Sequence, residues 1–198
     1  RRFRFEFGAP LDIDLLIGRT HNPENKTRLS VLYLNGLTSQ WDREEFVSLL
    51  AENVRSWMLR NPPQDRDRPQ FLMFIDEIGQ FVPNPTLKKP ICKDILVTLF
   101  KQGRKYGVSL LGASQSPGDF DYRALGQANS TFVGRLKTPQ DVRKVEALVG
   151  RGAGKQEVGE ALGGLAQGEF FLHAPGTGVD ATRFHAPLTV FGLETVAE

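Results

Sequence analysis

Residues Phe71–Glu77 read FLMFIDE, five apolar residues followed at once by two carboxylates. A short apolar run of this kind predicts a buried β-strand. Asp76 and Glu77 then fall at its carboxyl end, where open α/β sheets hold their ligands. Two chemistries suit the pair. In nucleotide hydrolysis, the first acid holds Mg²⁺ through the ion's water shell and the second takes a proton from the attacking water. Alternatively, Asp76 caps a following helix and Glu77 is simply exposed.

Working outward, Arg28–Asn35 (RLSVLYLN) predicts an earlier buried strand, ended by Asn35-Gly36. Asp42, three residues before Glu45, is the expected cap of a helix carrying Phe46, Val47, Leu49, Leu50, Val54, Trp57 and Met58. Asn61-Pro62-Pro63 stops it. After a proline-marked loop, Ile91, Cys92, Ile95, Leu96, Leu99 and Phe100 recur at helical spacing, up to about Gly103. Val108–Ala113 predicts a third strand and Thr131–Leu136 a fourth, followed by a helix from Pro139 to Val149. Gly150–Gly168 is glycine-rich, with a short helix around Val158–Leu162. Glu169–His173 and Thr182–Val190 read as late strands, a hairpin joined by Pro175-Gly176-Thr177-Gly178. Apolar strands alternating with amphipathic helices predict an α/β layer fold with a mainly parallel sheet.

The 198 residues, 40% hydrophobic and 24% charged, suffice for one sizeable core. They are expected to form a single domain, with a core at about 28–149 and a linker with terminal strands at 150–198. A net charge of +2 leaves any nucleic-acid surface to a local patch. A single cysteine, Cys92, excludes an internal disulfide and fits a reducing, cytoplasmic setting. No apolar run reaches the roughly 20 residues of a membrane helix. Arg1–Phe7 lacks the apolar core of a secretory signal, and with no initiator Met the chain reads as an excised domain. His21, His173, His185 and Cys92 are too scattered to suggest zinc.

A second segment, Gly103–Gln115 (GRKYGVSLLGASQ), sets a basic pair before a strand that ends in Ser-Gln. Arg104 has the chemistry to stabilise charge building on a γ-phosphate, and Gln115 to orient the attacking water. The plainer alternative makes Arg104 and Lys105 a solvated helix end and Gln115 a loop residue.

The order strand–Asp-Glu, helix, Arg-Lys-Tyr-Gly, strand, Ser-Gln, then Asn129 into a further strand resembles the carboxyl-terminal half of the HerA/FtsK superfamily of P-loop motor ATPases, with HerA-type DNA translocases the nearest likeness. IDEIGQFVP resembles that family's Walker B segment, GRKYGVSLLGASQSPGDFD its sensor strand, and GEFFLHAPG its terminal strand. The resemblance implies a three-layer, RecA-like core lacking its first strand and phosphate loop. It implies Asp76 and Glu77 as the Walker B pair, Asp76 serving Mg²⁺, Gln115 as sensor and Arg104 as a family arginine acting in its own site or a neighbour's. It also implies ATP and Mg²⁺ as cofactors, a homo-hexameric ring around DNA, a helicase-like translocase working in DNA end processing, and a NurA-type nuclease as partner. A secretion or conjugation motor, or a degenerate non-catalytic module, shares these motifs. Ser114 and Ser116 stand where the family usually has Thr and Arg.

No Gly-x-x-x-x-Gly-Lys-Ser/Thr loop occurs. The only Gly-Lys pair, Gly154-Lys155, has Val149 in place of the first glycine and Gln156 in place of the Mg²⁺-binding hydroxyl. The family loop would lie before Arg1, so this chain alone is expected to be inactive.

Overall fold

The computed structural model describes residues 11–21, 26–65, 67–87, 89–121, 128–136, 138–149, 159, 162–174 and 179–186. The chain divides into two compact units, Arg1–Gln115 with Asp119–Gln127, and Ser116–Gly118 with Ala128–Glu198.

In the first unit, β1 (Phe71–Ile75) and β2 (Val108–Gly112) pair in parallel, with Phe71 opposite Val108 and Ile75 opposite Gly112. Parallel neighbours need a long crossover. Here it is α3 (Lys93–Gln102), a 3₁₀ turn at Gly103–Tyr106, and Gly107 at φ 69°, the left-handed geometry glycine adopts without strain. The long helix α2 (Gln40–Arg60) precedes β1. Val47, Ala51, Val54, Trp57 and Met58 of α2 share one apolar cluster with Leu96 and Leu99 of α3, Ile75 of β1 and Val108 of β2. A short α1 (Ile13–Leu16), not foreseen from periodicity, is capped by Asp12 and docked on α2 by the Trp57 indole N–H, which donates to Asp14 at 2.8 Å. Phe71 meets Trp57 edge-on at 5.4 Å, which ties β1 to the same helix.

Three expectations change here. Arg28–Asn35 forms no strand: Leu29, Val31 and Tyr33 are 87, 77 and 77% exposed. Strand propensity measures fit to a pleated, half-buried surface, and among the described residues no strand lies alongside the segment to supply one. Instead the Ser30 hydroxyl donates to the Leu16 carbonyl at 2.7 Å. Second, α2 is capped by Ser39, whose hydroxyl accepts the Asp42 amide at 3.0 Å, so Asp42 lies inside the first turn. Third, β1 is half buried. Phe71, Met73 and Ile75 face the helices, whereas Leu72 and Phe74 are 59 and 55% exposed beside an exposed Leu111. The described helices cover one sheet face, and side chains alternate across it.

In the second unit, β3 (Thr131–Gly134), β4 (Glu169–Ala174) and β5 (Val179–His185) form an antiparallel sheet in that order. The expected fourth strand, Thr131–Leu136, is therefore β3 and pairs antiparallel, so the parallel part of the described structure consists of β1 and β2. Helix α4 (Pro139–Val149) shares a small core with this sheet: Val133, Val145, Leu162, Leu165 and Phe171. Phe170 and Phe184 stack across β4 and β5 at 5.7 Å. Arg183 pairs with Glu169 and, by that hydrogen bond first, holds its carboxyl below the ordinary range. The turn at 175–178, most of the glycine-rich segment with Gly154-Lys155, and Arg1–Phe7 lie outside the described residues.

Candidate functional site

The parallel register fixes where the chemistry-bearing side chains emerge. Since Ile75 lies opposite Gly112, Asp76-Glu77 and Ser114-Gln115 leave adjacent strands at the same carboxyl edge. Two further backbone bonds extend the ladder past the strands: the Ala113 amide donates to the Ile75 carbonyl at 3.0 Å, and the Ile78 amide to the Ala113 carbonyl at 2.9 Å. The chain therefore brings Asp76, Glu77 and Gln115 to one edge, on neighbouring strands.

Asp76 is exposed, and its carboxylate accepts the Glu77 amide at 3.1 Å. It does not cap the next element. That element is a 3₁₀ turn, Ile78–Gln80, preceded by Glu77 and without a side-chain cap. One Asp76 oxygen engaged by a backbone N–H leaves the other available, and Mg²⁺ keeping most of its waters needs only one or two carboxylates. Asp76 therefore suits an ion met through its waters. The described residues hold no cluster of three or more His, Cys, Asp or Glu that would grip a metal directly.

Glu77 has φ 46° and ψ 49°, left-handed for a non-glycine residue. Such a conformation costs about 1–2 kcal/mol and persists where the surroundings impose it, most often at functional sites. Here the ladder bond on one side and buried Ile78 on the other impose it. The Glu77 carboxylate, half-buried, has no ion pair among the described residues.

Arg104 is not part of this cluster. It precedes β2, whereas Gln115 follows it, so the two sit beyond opposite ends of the strand. Four steps of about 3.3 Å separate Val108 from Gly112, roughly 13 Å before the flanking turns are added. Arg104 is exposed at the amino edge of the sheet.

The loops beyond the strands are stitched together. Asn84 donates its amide to the Asp119 carbonyl at 3.0 Å, and Asp121 donates to the Val82 carbonyl at 2.9 Å, around a Pro83–Phe120 bridge. Lys93, at the start of α3, donates to the Pro83 carbonyl at 2.7 Å and pairs with Asp121 at 2.9 Å, both side chains about nine-tenths buried. The sequence reading passed over Lys93. The signal was its place on the apolar stripe of α3, three and seven residues ahead of Leu96 and Phe100.

No protein-family model matches this chain, and no curated protein does. Solved structures match it in fold. The genome packaging NTPase B204 from Sulfolobus turreted icosahedral virus 2, in complex with AMPPCP, superimposes at a TM-score of 0.54 and 15% identity, over 74% of this chain and 63% of that one. Its AMP complex gives 0.51 and 16%, over 73% and 63%. The fold is that of an NTPase. The chain spans less than two thirds of those proteins. Among the described residues no helix is long and apolar enough to cross a membrane.

Proposed function

We propose that this chain is the carboxyl-terminal half of an ATP-hydrolysing motor of the HerA/FtsK superfamily that moves DNA, with residues 1–198 acting as one partial motor domain. The observation that carries the reading is the emergence of Asp76-Glu77 and Gln115 from adjacent parallel strands at one edge, with Glu77 held in a strained left-handed conformation. In this reading Asp76 accepts hydrogen bonds from the waters of a Mg²⁺ ion, which supplies charge neutralisation on the phosphates. Glu77 takes the proton from the attacking water. The Gln115 amide orients that water and registers the γ-phosphate. Neither carboxylate cradles phosphate; in this reading the cradle is a glycine-rich phosphate loop of the kind the superfamily carries. Arg104, at the far edge, serves a neighbour's nucleotide, which implies a ring, proposed here as a homo-hexamer.

Within this reading, a HerA-type translocase working with a NurA-type nuclease in DNA end processing is the first assignment. Genome packaging is the second, favoured by the likeness to a genome packaging NTPase. ATP hydrolysis by the longer polypeptide that carries a phosphate loop, measured with and without duplex DNA, tests the cargo. Stimulation by DNA is expected; turnover indifferent to DNA would point to another cargo.

A further inference from the structure

We infer that Lys93 is a positioning residue for the Glu77–Gln115 site, an inference that rests on the motor reading above. Glu77 and Gln115 come from different strands, so their spacing depends on what joins the two loops that follow. Beyond the ladder, that joint is made at Pro83 and Asp121. The Lys93 ammonium bonds to both, to the Pro83 carbonyl at 2.7 Å and to the Asp121 carboxylate at 2.9 Å. It does so from the first residue of α3, a helix anchored in the core through Leu96 and Leu99, neither of which is exposed.

The placement of the charge is itself informative. An ammonium with only 10% of its side chain exposed stays charged in a protein interior only with a partner and further acceptors. An apolar residue at this point of the α3 stripe would pack without that need. The ion pair adds directional restraint: one cation spans two acceptors on two loops. The backbone bonds from Asn84 to Asp119 and from Asp121 to Val82 flank it, and Gly79 lies so close to Asp119 that a β-carbon on it would stand 3.3 Å from the Asp119 β-carbon. Lys93 thus closes a two-stranded strap across the loops that begin at Glu77 and Gln115. Without it the strap loosens, and the base and the water-orienting amide lose their relative position.

The test has two arms. Amide hydrogen exchange on this chain compares wild type with Lys93→Met, reading Asn84 and Asp121. Local opening is expected to speed both by about tenfold or more while amides of β1 and β2 keep their protection. Unchanged exchange at Asn84 and Asp121 would overturn the inference whatever the hydrolysis result. In the longer polypeptide with its phosphate loop, Lys93→Met is expected to lower kcat about tenfold or more with KM for ATP within about twofold. The double variant Lys93→Met/Asp121→Leu removes both charges and so restores the melting midpoint. It should not restore kcat, and if it did, Lys93 would be a stability element only. A wild type without turnover sensitive to Glu77→Gln would sink the motor reading, and the positioning role with it. The exchange arm would still decide whether Lys93 couples the loops.

Discussion

Ile78 lies directly against the bare α-carbon of Gly112: a β-carbon built there would stand 2.8 Å from the Ile78 Cδ1 and 3.3 Å from its Cγ2. The contact sets how closely the chain leaving β1 can follow the end of β2, and Glu77 is the residue just before it. Gly112→Ala presses mainly on the far end of a flexible side chain, whereas Gly112→Val adds bulk that buried Ile78 cannot avoid. Gly112→Val is expected to lower stability by about 1–3 kcal/mol, and Gly112→Ala by less, as read from urea unfolding midpoints. Equal stability of all three would mean that the packing does not constrain the site.

The left-handed backbone of Glu77 makes a second expectation. Glycine takes that conformation freely and alanine does not, so Glu77→Gly should be more stable than Glu77→Ala by about 1 kcal/mol. At most unstrained positions the order is the reverse. Chemical unfolding of the two variants decides it, and an alanine variant as stable as the glycine one would show that the residue carries no strain.

How much of this was legible in the sequence depended on the range of the interactions. β1, β2, α3 and α4 follow from local periodicity, and the strand-end position of Asp76, Glu77 and Gln115 follows from those strands. Arg28–Asn35 has the same local signal as β1 but pairs with no strand among the described residues, and neighbours are set by the rest of the chain. The half-exposure of Leu72 and Phe74 was illegible for the same reason. Asp42 competed with Ser39 for the cap because both are cap-forming residues at the helix start and only geometry chooses. The Lys93–Asp121 pair spans two loops and leaves no periodic trace. The separation of Arg104 from Gln115 was implicit in the order of the motif, since one precedes β2 and the other follows it.

That separation gives a third expectation. Under the proposed function, with Arg104 and Gln115 beyond opposite ends of β2, any contribution of Arg104 to hydrolysis is expected to cross a subunit boundary. In the longer polypeptide, Arg104→Ala and Glu77→Gln assemblies should each be slow. Mixed assemblies should regain turnover, because a subunit with intact Glu77 can then face a neighbour with intact Arg104. Mixtures no faster than the average of the two parents would exclude a contact across subunits.

Cys92 supplies a pH expectation. Its thiol is fully buried, and burial first, with the Glu44 carboxylate second, pushes it from 9.0 to about 12. A folded-state value above the unfolded one contributes stability that is complete below pH 9 and is lost as the pH rises from about 9 towards 12. Denaturant midpoints should therefore fall over that window, and Cys92→Ala should flatten the fall. At pH 8 the native thiol should react with a disulfide reagent far more slowly than the unfolded one. A native thiol as reactive as the unfolded one would contradict its burial.

The central claim is that Glu77 takes the proton from the attacking water while Asp76 serves the metal ion. Glu77→Gln keeps size and hydrogen bonding but removes the base, whose loss typically costs about 10²–10⁴-fold in rate. The decisive measurement is single-turnover ATP hydrolysis by the Glu77→Gln form of the longer polypeptide with its phosphate loop, alongside ATP binding in the presence of Mg²⁺. The account predicts retained, tight ATP binding with hydrolysis reduced by about 10²-fold or more. Hydrolysis at near wild-type rate would contradict it.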